Sequence, residues 1–152
     1  MDAIDLNLVD LLRNNARLSY AELARQVGLS APAVHERVGK LESGGVIRAY
    51  RAEVEPETIG LGVTALIGIM EDSGADTDDV LEAFRVMPEI ESCYFMAGVE
   101  SFLLKARVGT IAELEQLIVR LNRTPGVAST RTGIALSTKW ENRPQSVASP
   151  PT

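Results

Sequence analysis

The chain has 152 residues and a formal net charge of −6, a length that holds one ordinary domain or two small ones and excludes a large multidomain enzyme. With 45% hydrophobic and 24% charged residues it can bury a core and is not compositionally disordered, and with 5% aromatics that core must be aliphatic. The longest weakly polar run, 59–70, is broken by Thr64 and falls well short of the ~20 residues of a membrane helix.

The start, Met1-Asp2-Ala3-Ile4-Asp5, is acidic and lacks the basic and apolar stretches of a signal peptide, so a cytoplasmic address is expected. One cysteine, Cys93, forms no internal disulfide, and one histidine, His35, cannot supply a histidine metal site or a serine-type triad with a spare. Both counts weigh against familiar catalytic constellations, and no metal, no cofactor and no enzymatic activity are expected. Cys93 and the methionines Met70, Met87 and Met96 are predicted as packing residues.

Charge is unevenly distributed. Residues 1–51 carry seven lysines and arginines against six carboxylates, whereas residues 52–152 carry eight against fifteen. From Arg17 to Arg51, six cations face Glu22, Glu36 and Glu42, a modest basic patch able to attract phosphate.

The first predicted helix follows the stripe Ile4, Leu8, Leu11 and Leu12. Ser19-Tyr20-Ala21-Glu22 then reads as a capping box opening a second helix with Tyr20, Leu23, Ala24 and Val27 inside. Gly28 suits the left-handed residue that closes it, and Ser30 caps a third helix two residues later.

That third helix buries Ala31, Val34, Val38 and Leu41 and spreads Pro32, Ala33, His35, Glu36, Arg37 and Lys40 over its remaining surface. Helix, tight glycine turn, helix is the helix-turn-helix arrangement, whose second helix enters a major groove of DNA. Small Ala31 and Ala33 permit close approach. Pro32, Ala33, His35 and Glu36 are expected to face bases, and Arg37 and Lys40, with Arg48 just beyond, to anchor phosphates. The amides at Ser30 suit another phosphate. Spacing alone fits equally an ordinary helical bundle with a solvated polar face; Glu36 either reads cytosine or pairs with Lys40 along the helix.

Gly44-Gly45 stops this helix, and a strand over Val46–Val54 is predicted, giving a winged domain over residues 1–50 with a strand and linker over 51–61. Val63–Met70 is nearly all apolar, as in a strand covered on both faces. Thr77-Asp78-Asp79 opens a helix with Val80, Leu81, Phe84 and Met87 inside; Ile90–Ala97 and Phe102–Val108 form a hairpin about Gly98-Val99-Glu100-Ser101. Thr110-Ile111-Ala112-Glu113 caps a last helix, and Val127–Lys139 reads as the final strand. The fold class is α+β, a helix-turn-helix domain joined to a ferredoxin-like βαββαβ domain over 62–140. A shift of 37 residues lays Pro88 on Pro125, Phe84 on Leu121 and Ile90 on Val127, an internal repeat. Helices cover one face of such a sheet, so a second copy is expected on the other, making a homodimer. From 141 to 152 periodicity is lost and a mobile tail is predicted.

Taken together, Leu18-Ser19-Tyr20-Ala21-Glu22-Leu23-Ala24, Gly28-Leu29-Ser30, Val34 to Glu42, Gly45-Val46-Ile47 and Tyr50 carry a resemblance to the Lrp/AsnC, or feast/famine, transcription regulators over nearly the whole chain. The resemblance implies dimers assembled into octamers or discs that bind double-stranded DNA, with an amino-acid effector held in clefts between dimers and no membrane partner. The family's Gly-x-x-Asp pattern stands here as Gly98-Val99-Glu100-Ser101, with serine in place of aspartate. Glu100 is then the candidate for the missing carboxylate, and Thr130 and Thr132 for further hydroxyls. Two alternatives share the architecture: a nucleoid-architectural protein indifferent to effectors, and an enzyme resembling siroheme decarboxylases. The latter calls for histidine in the carboxy-terminal cleft, and no histidine follows His35.

Overall fold

Side chains that satisfy free backbone amides mark where each helix of the amino-terminal unit begins. In the computed structural model, which describes residues 1–147, Asp2 and Asp5 bond each other's amides at 2.9 and 3.0 Å and open α1 (Ala3–Asn14). Ser19 and Glu22 close the same reciprocal box before α2 (Tyr20–Val27). Gly28, left-handed at φ 72°, ends α2, and Ser30 accepts from the Ala33 amide to start α3 (Ala31–Ser43). The apolar stripes meet in one core of Leu8, Leu12, Leu23, Ala24, Val34, Val38 and Leu41.

Among the described residues, no strand forms over Val46–Val54, so the expected wing is absent. A β-prone segment needs a ladder partner, and none runs alongside it. Instead the Val46 and Ile47 amides both donate to the Leu41 carbonyl, at 2.9 and 3.0 Å, which wraps the chain back over the end of α3. Ile47 packs against the core.

Met1–Ala52, joined by the described residues from Trp140 onward, makes one compact unit; Glu53–Lys139 makes the other. The second unit starts with a short 3-10 turn, Pro56–Ile59, followed by β1 (Val63–Glu71), α4 (Thr77–Arg85), β2 (Ile90–Phe95), β3 (Phe102–Val108), α5 (Ile111–Asn122) and β4 (Val127–Ile134). Its sheet is antiparallel in the order β2-β3-β1-β4. Thr110 and Glu113 form the capping box of α5, and Glu113 also accepts from the Gly109 amide at 2.6 Å. Val80, Phe84, Leu114, Leu117 and Leu121 of the helices pack on Ala65, Ile67, Ile69, Leu104 and Ala106 of the sheet. Each such fully buried large aliphatic contributes roughly 1.5–3 kcal/mol relative to exposure.

The helices cover one face of the sheet alone. On the other face Thr64, Leu66, Gly68 and Met70 of β1 lie opposite Arg107, Lys105 and Leu103 of β3 and Gly133, Arg131 and Ser129 of β4. Leu66 is 47% exposed there, so the apolar run of β1 is not covered on both sides within one chain.

Two further expectations change. Cys93 and Met96 are exposed rather than packed, Cys93 lying on the edge strand β2 and Met96 just beyond its end. β4 ends at Ile134 rather than Lys139, because β1 begins at Val63 and leaves later residues nothing to pair with; the Ala135 amide makes the last bond, to the Thr64 carbonyl. Residues 141–147 group with the amino-terminal unit, where Arg13 donates to the Gln145 carbonyl at 2.8 Å and Arg143 lies over the Trp140 ring. Residues 148–152 lie outside the described residues.

Candidate nucleic-acid and effector sites

Burial of Val34, Val38 and Leu41 fixes how α3 is rolled, and with it which side chains face outward. Pro32, His35, Glu36 and Lys40 are exposed, Ala31 and Ala33 are half-buried, and Ser30 caps the start. Lys40 bonds Glu36 one turn back at 2.7 Å, so of the two readings open for Glu36 the free chain displays the pair with Lys40. Both side chains are largely solvated, and a pair of this kind is worth little and is easily exchanged for a phosphate.

Arg37 behaves differently. Its Nη1 donates to Asp5 at 2.7 Å and Asp2 at 2.8 Å, drawing the side chain toward the start of α1. The Asp5 amide and then Arg37 hold the Asp2 carboxyl below its ordinary range, and the two carboxylates hold Arg37 above its own. An arginine predicted as a phosphate anchor thus links α3 to α1. Arg48 is exposed and makes no ion pair among the described residues.

Sequence reasoning missed two aromatic neighbours of the helix. The Tyr20 ring lies 4.8 Å from the His35 imidazole in an edge-to-face arrangement. The Tyr50 hydroxyl donates to Glu42 at 2.7 Å, and burial, followed by that carboxylate, pushes Tyr50 up to about 12. The signal for Tyr20 was weak: at the first position of α2 it looks like part of an apolar stripe.

In the second unit the hairpin Gly98-Val99-Glu100-Ser101 projects Val99 almost wholly into solvent, while Ser101 is stitched to the sheet by its amide to the Ile69 carbonyl at 2.8 Å. Glu100 pairs with Arg131, above Gly68 on the face that no helix covers. Glycine at 68 makes room for this: a Cβ there would stand 2.7 Å from the Glu100 Cγ. Beside it Glu91 accepts from Arg107 at 2.6 Å and Lys105 at 3.1 Å, and Arg107 also donates to Thr64. Burial works to raise the Glu91 carboxyl, but its two cations outweigh that and leave it below the ordinary range.

Thr130 and Thr132 do not join this cluster. They lie opposite Ile69 and Ile67, hence on the helix-covered face, and Thr130 accepts from Asn122 of α5 at 3.0 Å. Side chains alternate along a strand, so the residue between the two threonines, Arg131, is the one that meets Glu100. Among the described residues no group of three or more histidine, cysteine, aspartate or glutamate side chains could hold a metal, and no helix is long and apolar enough to cross a membrane. An open groove along α5, lined by Ala112, Glu115, Gln116, Val119 and Arg120, contains none of the predicted residues.

A helix-turn-helix unit followed by a ferredoxin-like sheet with a charged hairpin defines a two-domain regulator of the DNA-binding, ligand-binding type. Residues 1–42 match the AsnC-type helix-turn-helix domain, and residues 64–145 match the Lrp/AsnC ligand binding domain. The chain belongs to the Lrp/AsnC family. It is 38% identical to the HTH-type transcriptional regulator LrpA of Mycobacterium tuberculosis, over 94% of this chain and 95% of that protein. It is 36% identical to the HTH-type transcriptional regulator LrpC of Bacillus subtilis, over 90% and 92% respectively. Among solved structures, a feast or famine regulatory protein of M. tuberculosis complexed with L-methionine matches with a TM-score of 0.90 at 38% identity, over 97% of this chain and 99% of that one.

Proposed function

We propose that this chain is a sequence-preferring, DNA-binding transcriptional regulator whose grip on DNA responds to an amino acid, and that it is not an enzyme. The observation that carries the reading is the pair of matched domains, one presenting the exposed face of α3 and the other the charged hairpin over Gly68.

On the DNA side, Ser30, Lys40 and Arg48 meet phosphates while Pro32, Ala33, His35 and Glu36 face base edges, with Ala31 small enough to let the groove floor approach. Arg37 supports α3 through α1. On the effector side, Gly98, Val99, Glu100 and Ser101 form one wall; Glu100 would leave Arg131 for the ammonium of an amino acid, and Arg131 would take its carboxylate. Thr130 and Thr132 are packing residues against α5 in this reading.

The uncovered sheet face, with Leu66 and Tyr94 exposed, supports a homodimer built through it, and further association into an octamer. Effector control is linkage: a ligand held between copies shifts DNA occupancy only through its different affinity for the assembly states. A cytoplasmic location follows for a protein that works on chromosomal DNA.

Selection of bound fragments from genomic DNA, with and without a panel of amino acids that includes L-methionine, tests the whole reading. A defined set of fragments whose occupancy or size of complex changes with one amino acid is expected. Recovery of fragments without any sequence preference overturns the DNA-reading half; identical recovery across the panel overturns the effector half.

A further inference from the structure

The chain contains a single histidine, His35, on the exposed face of α3, and its ring does not stand alone. Tyr20, the first residue of α2, places its ring edge-to-face with the imidazole, centroids 4.8 Å apart and planes at 76°. Neither residue is needed for the core: Tyr20 is 39% exposed and His35 is solvent-facing. The contact spans the turn of the helix-turn-helix, joining two side chains fifteen positions apart on different helices.

We propose that Tyr20, which lies outside the reading helix, is a specificity-determining positioning residue: it sets the orientation of His35 and so decides which base that imidazole selects. The inference rests on the DNA-reading function proposed above.

An exposed histidine at mid-helix has several open rotamers, and a donor or acceptor that swings discriminates poorly between base edges. A ring fixed at right angles against it removes most of that freedom before DNA arrives, so the imidazole nitrogens face the groove in one arrangement. Tyr20 is itself anchored. The Ser19–Glu22 capping box fixes the backbone on which it sits. Phenylalanine at position 20 would preserve the ring and lose only the hydroxyl; alanine would release the imidazole.

Two measurements test this. Because His35 is the only histidine, its carbon-bound imidazole protons are an unambiguous NMR signal in the free protein. In the wild type and Y20F they are expected to be displaced by the neighbouring ring current, and in Y20A to return to free-imidazole positions. In parallel, base preference is read from selection on randomised duplexes by the wild type, Y20F, Y20A, H35A and Y20A/H35A. Y20F should keep the wild-type preference. Y20A should lose about three- to tenfold discrimination at the same base pairs as H35A, and the double variant should match H35A alone. A Y20A preference equal to wild type, a change at base pairs that H35A leaves alone, or imidazole signals identical in all proteins overturns the inference while the regulator reading stands. Absence of any sequence preference in the wild type overturns both.

Discussion

Arg37 Nη1 lies 2.7 Å from Asp5 Oδ1, so the middle of the reading helix is pinned to the first turn of α1. The same nitrogen reaches Asp2, the residue that caps α1. One guanidinium therefore serves a helix start and a helix–helix contact, and the position of α3 depends on charges that touch no DNA.

Arg37→Ala is expected to weaken binding to specific and unrelated duplexes alike, because α3 loses its brace. It should also lower the urea midpoint followed on amide signals of α1 to α3. The dependence of affinity on salt should hardly change. Arg48→Ala, removing a cation that has no partner among the described residues, should instead reduce the slope of log affinity against log salt by about 1. Gel-shift titrations at several salt concentrations separate the two, and an unchanged slope in Arg48→Ala would remove it from the phosphate contacts.

The Asp2 carboxyl is held below its ordinary 3.8 by the Asp5 amide and Arg37. A group depressed on folding stabilises the native state fully above its unfolded pKa and loses that contribution as pH falls through the folded one. The stability difference between the wild type and Asp2→Asn should then be constant at neutral pH and shrink below about pH 4. Urea unfolding of both proteins across that range checks it; a difference that grows on acidification would reverse the assigned sign.

Gly68→Ala drives a methyl group to within 2.7 Å of the Glu100 Cγ. Because Glu100 is a flexible side chain over an open face, the fold should survive with a melting midpoint shifted by only a few degrees. The Glu100–Arg131 pair should break, and the change in DNA affinity on adding the effector amino acid should be reduced. An undiminished amino-acid response in a variant shown to be folded would dissociate this pair from the effector site.

Gly126 has φ 89°, and a Cβ there would meet the Val80 Cγ2 at 2.6 Å and the Ala75 Cβ at 3.1 Å. Here strain and overpacking combine, since Val80 is fully buried and cannot swing aside. Gly126→Ala is expected to cost roughly 1–3 kcal/mol in the sheet unit. Denaturant unfolding followed by the β1 and β4 amides provides the measure.

The readable features of the sequence were local ones. The capping boxes at Ser19 and Thr110 and the turn at Gly28 each act over three or four residues, so their spacing alone locates helix starts and ends. The hairpin at Gly98 was legible for the same reason. What failed was anything requiring a distant partner. Val46–Val54 has strand composition but no neighbouring strand, and Cys93 has apolar neighbours in sequence but sits on a sheet edge.

The order of residues by itself determined the five helices, the approximate places of the four sheet strands, and the family, because periodicity and capping are properties of neighbours along the chain. Only the tertiary structure decided that Arg37 turns toward Asp2 and Asp5, that Tyr20 meets His35, and that Glu100 crosses Gly68 to Arg131. Those pairs join residues fifteen to thirty-five positions apart, and their distances are set by how helices and strands pack, which no short window of sequence contains.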